Sequence, residues 1–344
     1  MVSIDGNMGE GGGQILRTCL SLSLITGKPF KISNIRSGRS KPGLLAQHLS
    51  AVLLSQKVSR AQVNGAKLGS QTLTFYPGEI QSGKFQSEIG TAGSTSLVLQ
   101  TVYLPLSFSD NPSRIRISGG THVPFAPTFD WLKLHWIIFL EKIGLDVELE
   151  FFGAGFYPQG GGEIHAQINP VSMAKGLELS KRGTLKQIRG ISAVANLDRK
   201  IAERQRERVI RRLGSKFPLN DIRIKKLPSK FKGTSILLVC EFENSQCCYT
   251  ALGALGKPAE QVADEACDKV EQFLDAGCSI DEYTADQLVL PLSLAKSDST
   301  FTISIITDHL LTNVQVINEF IQPNIEIRGN VGSPGEILIQ PNLL

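Results

Sequence analysis

The sequence predicts an α/β protein with a large repeated domain and a smaller inserted one. Strand-like runs that end in glycine-rich turns are followed by amphipathic helices several times along the chain. Three of these units are alike, which suggests internal duplication, and their spacing is too irregular for a solenoid. The texture changes at residue 182, where a Lys/Arg-rich stretch begins that runs to about residue 279. We therefore predict a large discontinuous domain over 1–181 and 280–344, interrupted by a small basic domain over 182–279.

The first two units are read as strand, glycine turn and helix. Residues 28–43 ("KPFKISNIRSGRSKPG") lead into a helix for which Pro42 suits the first turn. On that helix one apolar face is predicted, formed by Leu45, Leu49, Val52 and Leu53. Residues 113–132 repeat the design with an alternating strand, a glycine pair, a proline-containing loop and a helix. Residues 145–168 are predicted to be a third version, because "PQGGGE" resembles "GEGGGQ" near the start.

The inserted segment is predicted to be an α/β module of its own. It holds a basic helix over 199–213, a strand over 235–243 and a helix over 258–277. The second helix ends at Gly277, and its predicted buried face is Val262, Ala266, Val270 and Phe273. After it, the chain again shows the pattern of strand-like runs and helices seen in the earlier units.

Composition and cysteine usage point to a cytoplasmic protein. Hydrophobic content is 41% and charged residues make up 20%, which is ordinary for a globular protein. No apolar run approaches the roughly 18 residues of a membrane helix, and no secretory signal is visible. The 6 cysteines include no C-x-x-C pair, so free buried thiols in a reducing cytosol are expected. Neighbours Cys247 and Cys248 lie in an apparent strand and should point to opposite faces.

Positive charge is concentrated in one segment. Residues 181–232 hold 17 Lys and Arg against four acids, a local net charge of +13 in a chain of net +4. Such asymmetry favours a polyanionic partner such as nucleic acid. The alternative is a solvated helix face, in which Glu207 and Arg211 form an i,i+4 pair.

The glycine-rich stretch "MGEGGGQILR" (8–17) predicts a close approach of backbone to a ligand without identifying that ligand. It lacks the Lys-Ser/Thr pair of a P-loop, and Gln14 stands where a dinucleotide fingerprint needs its third glycine.

Histidine 309 is the strongest candidate for chemistry. It follows a run of β-forming residues at 300–306 and precedes a helix, and strand ends of α/β sheets are where ligands collect. The residue is therefore a candidate nucleophile or general base, with a structural hydrogen-bonding role as the alternative. Of the other histidines (48, 122, 135 and 165) only His48 is singled out for a pocket.

Two turns suit anions. Arg36, Arg39 and Lys41 lie in a glycine-containing turn before a helix. Residues 88–100 form a second small-residue turn, for which ordinary helix capping by Thr91 or Ser94 is the alternative. Together with His309 and the basic segment, these turns favour phosphoryl or nucleotidyl chemistry on a polyanion.

Six motifs in order along the chain sharpen this reading. They are "EGGGQILR", "IRSGRSKPGL-x-x-QHL", "TAGSTSLVLQT", "GFYPQGGGE", "EYTADQLVLP" and "DHLLTN". Together they resemble the RNA 3′-terminal phosphate cyclase family. The resemblance implies three units, each a four-stranded sheet with two helices, and an inserted thioredoxin-like domain. It also implies ATP-dependent conversion of an RNA 3′-phosphate to a 2′,3′-cyclic phosphodiester through covalent histidyl-AMP and RNA-pp-A intermediates. AMP and pyrophosphate are released.

The resemblance implies roles for particular residues. His309 would carry AMP, Pro127 would lie opposite Tyr283 around adenine, and Glu10 would hold Mg²⁺ or Mn²⁺. The implied ATP-binding residues are Gln100, Pro127, Tyr283, Thr284, Ala285, Asp286 and Gln287. The implied residues for the phosphates or the RNA end are Arg17, Arg36, Arg39, Gln47 and His48. The expected partners are ATP and RNA with a 3′-phosphate, with no membrane and no obligate protein partner.

Two other functions stay open at this point. One is a non-catalytic RNA-binding homologue in ribosome assembly, against which the intact His309 and "EYTADQ" argue. The other is a small-molecule enzyme like the carboxyvinyl transferases, which have a related repeated fold.

Overall fold

A computed structural model describes residues 1–342 of the chain. The first unit is one sheet of order β1-β2-β4-β3 with two helices. Its first two strands are parallel, and the others pair antiparallel. Its elements are β1 (Val2–Asp5), α1 (Gly13–Thr26), β2 (Phe30–Ser33), α2 (Ala46–Ser59), β3 (Gln62–Asn64) and β4 (Leu73–Tyr76).

The second unit repeats this topology with the order β5-β6-β8-β7. Its second helical region begins and ends as α-helix and contains a π-helical segment, Leu132–Trp136. Its elements are β5 (Lys84–Glu88), α3 (Thr95–Ser107), β6 (Ser113–Gly119), α4 (Phe129–Trp131), α5 (Ile137–Lys142), β7 (Asp146–Gly153) and β8 (Gly162–Asn169). Residues 145–168 therefore supply the antiparallel strands that complete this unit. The prediction that they form a third strand–helix unit was wrong, because the repeated glycine motif lies in a strand-to-strand turn.

The third unit is split in sequence. It begins with β9 (Glu178–Leu179), after which the chain forms the insert with sheet order β11-β10-β12-β13. The insert's elements are β10 (Leu185–Ala195), α6 (Arg199–Leu213), β11 (Leu219–Lys226), β12 (Gly233–Phe242), β13 (Gln246–Leu252) and α7 (Ala259–Ala276).

The chain then returns to the third unit. Strand β14 (Ser299–Ile303) pairs parallel with β9 across the whole insert. The remaining elements are α8 (Glu282–Ser293), α9 (Asp308–Phe320), β15 (Asn324–Gly329) and β16 (Gly335–Gln340). Read from β9, the sheet order is β9-β14-β16-β15, the same as in the other two units. The predicted α/β class and its threefold repetition are confirmed. The likeness of the insert to thioredoxin and the boundaries at 182 and 279 stay predictions.

Two main cores hold these layers together. Buried apolar side chains of all three units form one contiguous core, which also includes Leu237, Val239 and Cys248 from one face of the insert sheet. The other face of that sheet packs under α6 and α7 and forms a separate core that includes Cys247. The two neighbouring cysteines therefore point to opposite faces, as predicted. All six cysteines are free and buried. No helix of residues 1–342 is long and apolar enough to cross a membrane.

Two sequence expectations need correction in the helices. In α2, Leu53 is exposed, and the buried face runs instead through Ala51, Val52, Leu54 and Val58. This helix begins at Ala46, so Pro42 precedes it and lies outside its first turn. In α7, the buried positions and the stop at Gly277 are as predicted.

The charge of the basic helix α6 is largely neutralised inside the insert. Arg204 pairs with Glu260 at 2.6 Å, and Arg208 pairs with Asp264 at 2.8 Å. Arg212 pairs with three acids of α7, Asp268 among them at 2.6 Å. The expected Glu207–Arg211 pair is not among the ion pairs of the described residues. The local excess of +13 therefore overstates the charge that this helix offers to a polyanion.

Candidate active site

The glycines of the N-terminal turn let two side chains approach the backbone closely. A Cβ atom added at Gly12 would lie 1.9 Å from Glu10 Oε1, and one at Gly13 would lie 2.2 Å from His48 Nε2. Gly11 has φ +61°, a conformation that favours glycine. The turn thus brings a carboxylate and an imidazole against the start of α1. These glycines thus make room for protein side chains, and the approach of this backbone to a ligand stays a prediction.

Glu10 is almost buried and is held from several sides. Its backbone N–H donates to Thr312 Oγ1 (3.0 Å), and Arg39 donates to its carbonyl (2.7 Å) and pairs with its carboxylate. Its Oε1 atom is buried and has no hydrogen-bond partner among residues 1–342. A buried carboxylate oxygen without a donor fits a hard cation. Residues 1–342 include no cluster of three or more His, Cys, Asp or Glu that could hold a metal. Glu10 therefore fits an ion that takes its other ligands from substrate phosphates and water, as Mg²⁺ commonly does.

His309 lies in the first turn of α9, and one of its ring nitrogens is fixed. Its side chain is 59% exposed. Its Nδ1 lies 2.6 Å from Gln14 Oε1, and Gln14 Nε2 donates to Asp286 Oδ1. Because the Gln14 amide must point its N–H group at the carboxylate, its oxygen faces the imidazole. The proton of a neutral His309 is therefore on Nδ1, and the lone pair of Nε2 is free to react.

Asp286 anchors this chain of hydrogen bonds. Burial raises its pKa, and this is opposed by the Gln14 hydrogen bond and by the charges of His309 and Arg17. Asn313 Nδ2 donates to the Asp286 carbonyl (3.1 Å), and Thr18 Oγ1 donates to Asn313 Oδ1 (2.7 Å). Helices α1, α8 and α9 are thus tied together behind His309. Burial lowers the pKa of Arg17, while Asp286 and Glu10 act in the opposite direction.

A cleft with a volume of about 680 Å³ opens beside His309. It is bounded by the loop 123–128, the start of α8, the end of β13 with the loop after it, and α7. Six of the predicted site residues line it: Arg17, Pro127, Tyr283, Asp286, Gln287 and His309. The volume and mixed lining are typical of a small-molecule site.

The insert contributes residues to this cleft that sequence reasoning missed. They are the segment 250–254 with Lys257, Glu265 and Lys269. Lys269 Nζ lies 2.8 Å from the Tyr283 hydroxyl and 5.0 Å from the centre of its ring. Thr250 Oγ1 is buried and has no hydrogen-bond partner within the described residues. No local signal in the sequence places these residues beside α8, because the contact depends on how the insert packs.

Three predicted nucleotide residues lie outside the main cleft. Gln100 faces a smaller cavity of about 40 Å³ with Gln14, Arg17 and Gln287. Neither polar atom of its amide has a hydrogen-bond partner in the part of the chain that the structure describes. Thr284 and Ala285 are buried in α8. The Thr284 backbone N–H donates to the side chain of Asp281, the N-cap residue.

The predicted phosphate and RNA-end residues surround the glycine turn, and several brace it. Arg36 Nη1 donates to the carbonyls of Lys41 (2.6 Å) and Gly43 (3.0 Å). Burial lowers the pKa of Arg36, and the charge of Arg39 lowers it further. Gln47 Oε1 accepts from the Ser94 N–H (2.9 Å).

The second predicted anion seat is already filled. Ser94 caps α3 by accepting from the Leu97 N–H (3.2 Å), and its own N–H is taken by Gln47. Ordinary helix capping, the structural alternative to an anion site, therefore explains this turn. The structural alternative also holds for the remaining histidines, since His122, His135 and His165 are hydrogen-bonded to nearby side chains.

Comparison with known families agrees with this geometry. A family model described as RNA 3′-terminal phosphate cyclase matches residues 8–327. The chain belongs to that family. The match spans nearly the whole chain and includes Glu10, the cleft and His309, so the resemblance seen in the six motifs is confirmed. As a member of the cyclase family, the chain is expected to bind RNA.

Proposed function

We propose that this protein uses ATP to convert the 3′-terminal phosphate of RNA into a 2′,3′-cyclic phosphodiester. The observation that carries the proposal is the state of His309. Its Nδ1 is held through Gln14 by buried Asp286, while its Nε2 is free beside a cleft of nucleotide size. An activated, oriented nucleophile of this kind splits a difficult reaction into easier steps.

In the first step, His309 Nε2 attacks the α-phosphorus of ATP. A nitrogen–phosphorus bond forms, the bond to the β-phosphate oxygen breaks, and pyrophosphate leaves. The ring gains positive charge, which its Nδ1–H shares with Gln14 Oε1. Arg17 lies close to Asp286 and Glu10, where it stabilises phosphate charge. A divalent cation, Mg²⁺ or Mn²⁺, bound by Glu10 would supply further charge neutralisation.

In the second step, an oxygen of the RNA 3′-phosphate attacks the phosphorus of histidyl-AMP. The nitrogen–phosphorus bond breaks, which frees His309 and gives an RNA-pp-A anhydride. The ribose 2′-OH then attacks the activated 3′-phosphorus, loses its proton to solvent and expels AMP. Activation is necessary because an oxide leaving group of a phosphate monoester is too poor. Arg36, Arg39, Gln47 and His48 are the residues we assign to the RNA end.

The nucleotide is assigned to the cleft. Adenine would lie between Pro127 and the half-exposed ring of Tyr283. Gln100, with its unpartnered amide, and Gln287 would hold the nucleotide nearer to Arg17. Thr284 and Ala285 would act by shaping α8. We also assign the protein to the cytoplasm, since six free buried thiols suit a reducing compartment.

Intact-mass measurement after incubation with ATP and Mg²⁺ tests the first step. We expect the protein to gain one AMP and His309→Ala to gain none. His165→Ala is the matched control, because His165 lies on β8 and pairs with Glu163 (2.9 Å). A folded, ATP-binding protein that forms no adduct would overturn the mechanism and favour the RNA-binding homologue. Where the adduct does form, adding RNA with a 3′-phosphate should remove AMP from His309 and yield RNA with cyclic ends.

A further inference from the structure

Exposed aromatic side chains lie where the second unit meets the insert. Tyr157, in the turn between β7 and β8, is 69% exposed. Phe231, in the loop between β11 and β12, is 36% exposed. A Cβ atom at Gly161 would lie 3.0 Å from the Phe231 ring, so this loop contacts the end of the Tyr157 turn. We call Tyr157, Lys230, Phe231 and Lys232 the distal strip.

The distal strip is carried by backbone that is firmly held. The Ala154 N–H donates to the Pro228 carbonyl (2.7 Å), and Ser229 Oγ donates to the Ala154 carbonyl (2.8 Å). Asn196 Nδ2 donates to the Ser229 carbonyl (2.8 Å). Because the backbone is fixed by these bonds, its aromatic rings are presented to solvent with little freedom to fold away.

The distal strip also carries part of the free positive charge of the basic segment. Arg204, Arg208 and Arg212 of α6 are paired with α7, and Lys225 lies 3.6 Å from Asp130. Lys230 and Lys232 are exposed and make no ion pair with any residue from 1 to 342. The segment that sequence analysis identified as attractive to polyanions thus keeps unpaired charge at this loop, next to aromatic rings.

Packing contacts join the distal strip to the active site. Gly160 packs on the loop 91–92, where its Cβ would lie 2.6 Å from the Thr91 carbonyl oxygen. Gly93 of the same loop packs on Gln47, which is hydrogen-bonded to Ser94. The loop 90–93 therefore bridges the distal strip and one of the residues assigned to the RNA end.

Phe125 marks the nearby rim of the cleft. It is fully exposed and has φ +60°, which is unusual for a bulky residue and is typical of functional positions. Its loop is joined to the Tyr157 turn, since the His122 N–H donates to the Gly155 carbonyl (3.0 Å). Exposed aromatic rings therefore lie both at the rim of the cleft, at Phe125, and in the distal strip.

We infer that the distal strip binds the nucleotides that precede the terminal phosphate in a single-stranded RNA. The position of the RNA end rests on the proposed function. Aromatic faces stack on any base, and lysines follow the phosphate backbone, so such a surface is tolerant of sequence. The partner must be single-stranded, because bases in a duplex are not free to stack on protein rings.

Fluorescence anisotropy with a labelled single-stranded RNA 12-mer ending in a 3′-phosphate tests this inference. Removing two stacking rings in Tyr157→Ala/Phe231→Ala should weaken binding at least about tenfold. The milder Lys230→Gln/Lys232→Gln variant should reduce the slope of log K against log salt by about 1.4. Tyr76→Ala and Lys200→Gln are controls, since both residues are exposed and lie on β4 and α6.

Activity separates the two proposals. Both strip variants should form the AMP adduct like the native protein and should cyclise a dinucleotide 3′-phosphate normally, while losing efficiency on the 12-mer. Native affinity and salt slope in both variants, or an equal loss on blunt duplex RNA, would overturn the inference. Loss of 12-mer binding in a protein that forms no AMP adduct would leave the distal strip standing and overturn the proposed reaction.

Discussion

Two histidines lie beside the glycine turn, in the first turns of α2 and α9, and their helices begin differently. Helix α9 is capped by Thr307, whose Oγ1 accepts from the Leu310 N–H (3.1 Å). The N-cap residue of α2 is Leu45, which has no side-chain acceptor, and His48 Nδ1 accepts the Leu45 N–H instead (3.1 Å). The imidazole of His48 therefore caps its helix, whereas the imidazole of His309 does not have to cap α9 because Thr307 does so.

The environments follow from this difference. His48 is buried, and burial lowers its pKa to about 3, with Arg17 and Arg36 lowering it further. It is neutral at pH 7 with its proton on Nε2, which suits a fixed hydrogen-bond donor for a phosphate. His309 is mostly exposed and offers Nε2 as a lone pair. The two histidines thus have opposite roles because the partners of their Nδ1 atoms differ. In His48 Nδ1 accepts a backbone N–H, and in His309 it faces the Gln14 side-chain oxygen.

The largest effect is expected when the nucleophile itself is removed. His309→Ala should lower AMP-adduct formation by more than about 10⁴-fold, because the variant lacks the nitrogen that forms the bond to phosphorus. His48→Gln should lower it by less than tenfold, since its lone pair is used by the backbone. The measurement is the mass of the AMP adduct against time. Equal impairment of the two variants would contradict the assigned difference between His309 and His48.

The next largest effect concerns the hydrogen bond that orients His309. Gln14→Leu removes the acceptor of the Nδ1 proton, and we expect adduct formation to slow about 100-fold, as for other residues that orient an imidazole. Nitrogen-15 NMR should show His309 changing from one tautomer to a mixture. Gln81→Leu is a suitable control because that amide contacts only the carbonyl of Glu79 on the surface. An unchanged tautomer with unchanged rate would refute the positioning role of Gln14.

The sequence predicted His309 but could not predict Gln14. Local alternation shows a strand before 308 and a helix after it, and this places His309 at a strand end. The bond between Gln14 and His309 joins residues 295 apart, and the one from Gln14 to Asp286 spans 272. Such contacts follow from packing of three units, which single-segment patterns do not contain.

The same limit explains the errors in the fold. Strand β9 has two residues, too few for alternation to appear, and its partner lies beyond the insert. The predicted third unit was placed at residues 145–168 for this reason, although its strands lie on both sides of the insert. Pairing of α6 with α7 is equally non-local, since Arg204 and Glu260 are 56 residues apart. Counting charges along a segment therefore predicted that the region is basic. It could not predict which of its basic side chains form ion pairs.

The pH dependence of stability should report the burial of His48. Because the pKa of His48 is lower in the folded protein, the unfolded chain binds its proton first as pH falls below about 6.5. The free energy of unfolding should thus fall by about 2 kcal/mol between pH 7 and pH 5 through this residue. Urea unfolding at pH 7 and pH 5 should show that the free energy of unfolding of His48→Gln falls by about 2 kcal/mol less than that of the native protein. An equal fall in both proteins would mean that folding does not lower the pKa of His48.

The smallest effect should come from the cap that releases His309. Thr307→Ala removes the acceptor for the Leu310 N–H and should cost about 1 kcal/mol of stability. Adduct formation should slow a few fold, because the first turn of α9 then frays and His309 loses its fixed position against Gln14. Thr26→Ala is the control, since that hydroxyl lies at the C-terminal end of α1, where it donates to the Leu22 carbonyl (2.7 Å) and accepts from the Lys28 N–H (3.3 Å), and it caps no helix N-terminus. A Thr307→Ala protein as stable as the control would show that the first turn of α9 is held by its packing alone. The contrast with α2 would then rest on the burial of His48.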